Sequence, residues 1–495
     1  MNLFDYLLDN GAPGDPAFIQ DGATTTYGEL KCMAEAVARS LAESGVSFQD
    51  RVGILAENSP FWAAAYLGIL KTGAIATPLP SRLTADDLGR YSEAIACKAY
   101  CIDNFLLKKY STFIPAESVL VLKNNIINLK PETAEQGLKS TAGSLSAPVD
   151  PAKDLAALMF TSGSTGQPNA VKVTHQNIRA NTDSIIAYLG LKADDRMMVI
   201  LPFHYCFGTS LLHTHLRVGG SLVINNYFQY VEDVLNEMET SACTGFAGVP
   251  STFQALLSNK SFRHRQFPDL KHVQQAGGKL SEKYINELRS LLPSRVKLYI
   301  GYGQTEATAR LSALPPEKLG EKTGSIGHGI PGVSLQILNK HDMQVQQGEV
   351  GEIVAEGDNV TSGYLFPDPS KNPFRNGKLY TGDLAYADED GYLYVVGREK
   401  DFIKPSGYKV MTATIESALH EIPEVAEAAV TGMPHEQLGE AAKAFVVVKQ
   451  GHNLSIDQVL EFCKTKLPAY AVPRRIEFTH DLPKNSAGKI LKNKL

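Results

Sequence analysis

Residues Thr161 to His175, TSGSTGQPNAVKVTH, constrain this chain more than any other stretch. Thr161, Ser162, Gly163, Ser164 and Thr165 are consecutive small or hydroxyl residues, Gly166 follows, and Pro168 lies two positions on. An apolar, strand-like segment from Leu155 to Phe160 leads in, and a helix is expected after it. Glycines let a backbone turn its N–H groups toward one point, and hydroxyls add donors, so such a loop can wrap phosphate oxygens. A flexible Ser/Gly linker is the competing reading. The order of the run and its flanking elements disfavour the linker. Asn169 is the unusual residue in it.

A chain of 495 residues is too long for one hydrophobic core, so two or more domains are expected. Lys plus Arg is 48 and Asp plus Glu is 53, a net charge of −5, which leaves no large basic surface for nucleic acid. The amino terminus, MNLFDYLLDNGAP, is acidic where a secretion signal would be positive. The apolar run Phe61 to Leu70 is stopped by Lys71, far short of the ~20 residues a membrane helix needs. Six cysteines form no C-x-x-C pair, so neither a zinc site nor a disulfide framework is indicated. A cytoplasmic, reducing location is the expectation.

The fold class expected is α/β: a large N-terminal domain of parallel-type sheets with crossover helices, a β-rich subdomain, and a small mobile α+β lid. Glu29 to Ser44 and Trp62 to Lys71 read as helices around a strand at Arg51 to Ala56. Lys130 to Asp150 is non-periodic and reads as a surface connection. Strand–helix alternation resumes from Leu155 to about Tyr302. Short β runs with Gly and Asp turns then mark a subdomain over about 324–397. The lid is expected over 398–495, with helices at Thr414 to His420 and Ile456 to Leu467 and strands at Ala426 to Thr431 and Ala442 to Lys449.

Four further motifs follow the loop in order: YGQTE at Tyr302 to Glu306, TGD at Thr381 to Asp383, GREKDFIKPSGYKV at Gly397 to Val410, and PKNSAGKI at Pro483 to Ile490. Together they resemble the adenylate-forming superfamily of acyl-CoA synthetases, peptide-synthetase adenylation domains and luciferases. The chain looks most like an AMP-forming acyl-CoA synthetase. That resemblance implies ATP, Mg²⁺ and CoA (or a phosphopantetheine) as cofactors, and a carboxylic acid activated as its acyl-adenylate.

The resemblance also implies roles. Thr161, Ser162, Gly163, Ser164, Thr165 and Gly166 would hold phosphates, with Thr165 and Glu306 at the metal. Gly277 and Gly278 would sandwich adenine against Tyr302 and Gly303, and Thr305 would contact the α-phosphate. Asp383, an acceptor when ionised, would receive the ribose hydroxyls, with Arg398 beside it. Lys489 would bridge the acyl carboxylate and the α-phosphate, where one ammonium meets both developing negative charges. Lys404, with Gly407, would serve the thiol half-reaction after the lid turns about a hinge near Lys400. The acyl pocket is expected from Pro202 to Gly208, His204, Tyr205 and Phe207 foremost, and from Phe246, Val249, Pro250 and Ser251. His204 has a competing reading as a packed core histidine. Amino-acid adenylating relatives usually carry Asp where His204 stands, so an acid lacking an α-amino group is favoured.

Some matches are accidental. Gly327 to Gly332 satisfies G-x-G-x-x-G but leads into a β run rather than a helix. His213 and His215 lack a third ligand in the sequence. The pattern also breaks in two places. Pro168-Asn169-Ala170 replaces a family PKG, removing a lysine from the phosphates, with Lys172 as a possible substitute. Thr412 and Thr414 stand where relatives often carry a Pro and a Glu. The acceptor is therefore expected to be CoA, with an acyl carrier protein as the alternative and a degenerate adenylate-binding protein as the third reading.

Overall fold

The computed structural model describes residues 1–81, 85–110, 112, 114, 119–122, 146–161, 169–367, 372–399, 401–408, 410–484, 488 and 490–495. Of the sequence expectations, Ser162 to Gly166, Lys400, Lys489 and most of the connection over 130–150 lie outside these residues.

Two sheets carry the first 330 residues. Among the described residues the larger has nine strands. Its parallel centre runs, in spatial order, Pro16–Gln20, Ser221–Ile224, Arg196–Val199, Gly245–Gly248, His272–Gln275 and Lys297–Tyr302. Antiparallel Ala23–Thr26 closes one edge, and Ser312–Leu314 with His328–Gly329 the other. The six-stranded sheet is parallel through Val119–Leu122, Ala99–Ile102, Arg51–Leu55, Ile75–Pro78 and Leu155–Thr161, with antiparallel Asn169–Thr174 at its edge.

One core lies between the two sheets. Ala17, Phe18, Met197 and Leu222 of the larger meet Val52, Ala76, Ala157 and Val171 of the smaller across helices packed between them. Helix Pro60–Thr72 is buried continuously from Phe61 to Lys71, which explains its all-round apolar sequence. Ser59 caps its start, Pro60 presets the first turn, and Gly73 ends it at φ 73°. Lys71 survives burial because Glu35 lies 3.0 Å away.

The helix expected after the Thr161 to His175 stretch is present as His175–Leu189. Within the stretch Asn169–Thr174 forms a strand, hydrogen-bonded back on Leu155–Thr161 so that Thr161 opposes Asn169. Val171 and Val173 point one way, a two-residue period that a helix would not bury. The helix, His175–Leu189, starts at Thr174, where a capping box with Asn177 fixes its first turn.

After Ile330 the architecture turns antiparallel. Val333–Leu338, Gly351–Gly357, Lys378–Ala387, Phe374–Arg375 and Leu393–Arg398 build a five-stranded sheet. The G-x-G-x-x-G match ends at Gly332 and enters the strand Val333–Leu338, so no helix start stands there. Beyond Arg398 a three-stranded sheet, Val425–His435, Gly439–Val448 and Arg475–Phe478, is covered by helices Thr412–His420 and Ile456–Lys466 around a separate core. Thr412 is used rather than vestigial: it opens its helix, and its hydroxyl accepts from Lys492 at 2.9 Å. No helix among the described residues is long and apolar enough to cross a membrane.

Burial of histidine sets an acid limit on this fold. His175, His204, His213 and His272 are buried, which pushes their pKa values down to about 4, 3, 3 and 4. Each folded-state value lies below the unfolded one, so below pH ~6.5 the unfolded chain gains protons that the folded chain refuses. The difference is about 2 kcal/mol per histidine at pH 5. The melting temperature should hold level above neutrality and fall steeply between about pH 6.5 and 4.5. A level melting temperature down to pH 5 in a calorimetric series would contradict this.

Candidate active site

Among the described residues, Tyr302, Gly303, Thr305 and Glu306 gather at the carboxyl end of strand Lys297–Tyr302, and Tyr302 is joined there to Asp383. Lys297–Tyr302 runs straight into the turn at Gly303, whose backbone passes so close to Ala309 that a Cβ would collide with its carbonyl oxygen. Only glycine fits there. A single 3₁₀ turn, Thr305–Ala307, then presents Thr305 and Glu306. Thr308 stands at φ 66° in that turn and is tied by its hydroxyl to Asn359 O at 2.7 Å. Such a strained position persists because the surroundings over-determine it.

Tyr364, which the sequence reading missed, fastens this turn to the phosphate hairpin. Its phenol donates to Glu306 Oε1 at 2.6 Å. The backbone around Tyr364 is laced to the hairpin strand, with Lys172 N donating to Gly363 O at 2.8 Å and Leu365 N to Ala170 O at 2.7 Å. The segment therefore ties strand Asn169–Thr174 to the Glu306 carboxylate. Its sequence signal was a lone Gly-Tyr after a strand, too common to single out. Lys172 lies one position out of phase with Asn169 and Val171, so it faces the other side of the strand from them.

Asp383 is buried between two partners. Tyr302 donates its hydroxyl to Oδ2 at 2.7 Å, and Arg398 Nε lies 2.9 Å from Oδ1. Strand pairing sets Asp383 directly opposite Arg398, so the TGD and GRxKD motifs meet by register. Burial and the Asp383 charge push the Tyr302 phenol well above its ordinary pKa. Asp383 also raises the pKa of Arg398. The three form a neutral donor, an anion and a cation with lone pairs still open to a diol.

Gly277 stands at φ +84°, and the Cβ directions of Gly277 and Gly278 face Val249 and Pro250. The pair is therefore packed tightly against the start of helix Pro250–Ser258. Ser251 of that helix donates to Gly488 O at 3.4 Å. Lys489 itself lies outside the described residues. Lys404 is not brought to this cluster: its backbone N–H bonds Glu440 at 2.7 Å and its ammonium lies 5.3 Å from the Phe402 ring centre.

The acyl-pocket expectations divide. Tyr205 and Phe207 stand at the start of helix Cys206–Val218, with His204 just before them. Cys206, within the expected Pro202 to Gly208 segment, touches Thr305 Oγ1 at 3.5 Å, placing this helix start beside the turn that holds Thr305. The His204 ring lies 4.5 Å from that of Tyr205, and burial holds the imidazole neutral. Phe246 is not brought there; it is buried edge-on against Phe253 in a second core. His213 bonds the Tyr66 hydroxyl at 3.0 Å, and His215 bonds the Leu211 carbonyl, one turn earlier on its own helix, at 2.9 Å.

Comparison with known families decides the assignment. The family described as AMP-binding enzyme matches residues 9–365, and its C-terminal domain matches residues 414–489. The chain belongs to the AMP-binding enzyme family. This AMP-binding enzyme is 32% identical to feruloyl-CoA synthase of an Amycolatopsis species, over 98% of this chain and 96% of the relative. It is 30% identical to long-chain-fatty-acid–CoA ligase of Salmonella typhimurium LT2, over 100% and 93% of the two chains. Its fold resembles o-succinylbenzoate coenzyme A synthetase of Bacillus subtilis, solved with ATP and magnesium ion. There the TM-score is 0.84 at 27% identity, covering 99% of each chain. It is an AMP-forming acid–thiol ligase of the acyl-CoA synthetase type.

Proposed function

We propose that this enzyme activates a carboxylic acid lacking an α-amino group and passes the acyl group to CoA, using the residues gathered around Thr305 and Asp383. In the first half-reaction an acid oxygen attacks the α-phosphorus of ATP, and the bond to the β-phosphate breaks to release pyrophosphate. In the second, a thiol sulfur attacks the acyl carbon and AMP leaves. Positioning and fixed charge are the levers for such substitutions.

The observation that carries this reading is the Tyr302–Asp383–Arg398 cluster beside Thr305 and Glu306. In our assignment Asp383 receives the ribose hydroxyls, Thr305 meets the α-phosphate, and Lys489 neutralises charge between acid and phosphate. Glu306 fits a hard divalent cation: among the described residues only the Tyr364 hydroxyl bonds its carboxylate, leaving the second oxygen to ligate. Mg²⁺ there would neutralise phosphate charge. His204, being neutral, would meet the acid as a hydrogen-bonding partner rather than a cation. Thr165 and the rest of the glycine loop would complete the phosphate contacts. A boundary at Gly397–Arg398 and a hinge near Lys400 would let the lid exchange Lys489 for the Lys404 face between half-reactions.

Asn169 bears on ATP affinity. It opposes Thr161 at the mouth of the hairpin, where an amide can hydrogen-bond but cannot offset charge. Asn169→Lys should lower the KM for ATP several-fold without altering acid preference, measured by exchange kinetics. An unchanged KM would remove position 169 from the phosphate site.

The acceptor is tested by thioester formation. CoA and a holo acyl carrier protein are offered in parallel with an accepted acid. Acyl-CoA formation supports the reading; transfer confined to the carrier protein would overturn CoA as acceptor.

A further inference from the structure

We infer that the acid is a dicarboxylic acid, whose second carboxylate is received by Arg310 and Gln274. This inference rests on the acid-activating reading above and deepens it.

Arg310 is 3% exposed, yet no carboxylate among the described residues lies within ion-pair distance of it. Its Nη2 reaches Gln274 Oε1 only at 3.4 Å, and its Nε has no hydrogen-bond partner. The guanidinium lies 4.7 Å from the Phe207 ring centre. Tyr188 touches it as well, but burial raises that phenol's pKa, so it brings no charge. A buried arginine without a counter-charge is costly, and a cation–π contact offsets only about 2 kcal/mol.

A second buried donor lies beside it. Gln274 is 2% exposed, and its Nε2 also has no partner while its oxygen faces Arg310. Among the described residues Arg310 keeps only neutral partners, Gln274 Oε1 and Tyr188, and the two unpartnered donors, Arg310 Nε and Gln274 Nε2, suit one group with two acceptor oxygens and a negative charge. A carboxylate is that group. Space for the arginine is kept open deliberately: a Cβ on Gly301 would collide with Arg310 Nη1.

The nucleotide is the obvious rival occupant, and strand geometry separates the two. Arg310 crosses the face of strand Lys297–Tyr302 that Gly301 occupies. Tyr302, the next residue, points to the other face, where it bonds Asp383. Phe207, against which Arg310 stacks, follows Cys206, whose sulfur touches Thr305. The arginine thus stands on the acyl side of the reacting turn. Nothing in the local sequence advertised it beyond a basic residue eight positions after Tyr302.

The test is a series of straight-chain α,ω-dicarboxylic acids with their mono-methyl esters and the monocarboxylic acids of equal length. Each is assayed by acid-dependent ATP–pyrophosphate exchange. The best diacid should exceed its ester and monoacid by at least about a hundredfold in kcat/KM. Arg310→Gln should abolish that ratio, mostly through KM for the diacid, and Arg310→Lys should restore part of it. With AMP present, the diacid should raise the melting temperature of the unaltered enzyme but not of Arg310→Gln, a readout independent of turnover. Monoacids used as well as diacids, or a ratio unchanged in Arg310→Gln, would overturn the inference while leaving acid activation standing. Exchange with no acid at all would overturn both.

Discussion

Lys489→Ala is expected to lower acid-dependent ATP–pyrophosphate exchange by about a thousandfold, the usual cost of losing one preorganised charge at a reacting centre. Transfer of the acyl group from a synthetic acyl-adenylate to CoA should fall far less, because that step breaks the acyl carbon–oxygen bond to AMP and involves no substitution at the α-phosphorus. The contrast between half-reactions is the informative part. Gly488, the preceding residue, accepts a 3.4 Å hydrogen bond from Ser251 at the start of helix Pro250–Ser258. Equal losses in both half-reactions would point to a folding defect. Undiminished exchange would remove Lys489 from the reaction.

Asp383→Ala should raise the KM for ATP at least about a hundredfold, since it removes a ribose acceptor and strands the Tyr302 hydroxyl in a buried place. Half of the Arg398 side chain is exposed, so the Asp383–Arg398 ion pair contributes little by itself. Asp383→Asn keeps an acceptor for Tyr302 and should fall between the two. Steady-state kinetics with ATP varied gives the result. A KM for ATP within twofold of the unaltered enzyme would separate Asp383 from the nucleotide.

Much of this site could be read along the chain because each motif is contiguous. TGD and GRxKD needed only a hairpin register to meet, and that register followed from two short β runs with a Gly turn between them. Tyr364, Gln274 and Arg310, and the contact of Cys206 with Thr305, could not be found that way. Their significance lies in contacts between residues about 60 to 100 positions apart for Tyr364–Glu306 and Cys206–Thr305, which no local pattern encodes. The strand inside the glycine-rich stretch was not legible for a similar reason: Asn169–Thr174 is defined by its pairing with Leu155–Thr161, which buries Val171 and Val173. Phe246 read as a pocket residue from its apolar neighbourhood, but an aromatic partner, Phe253, claimed it for the core. His204 was legible as a position and not as a charge; only its burial shows that the imidazole is neutral.

The most direct measurement of the central claim is acid-dependent ATP–pyrophosphate exchange, with product analysis, across mono- and dicarboxylic acids in the presence of Mg²⁺. The account predicts exchange that requires an acid and, once CoA is added, AMP and pyrophosphate in equal amounts with acyl-CoA. Measurable ATP binding without exchange for any acid, or ADP and phosphate as the products, would contradict it.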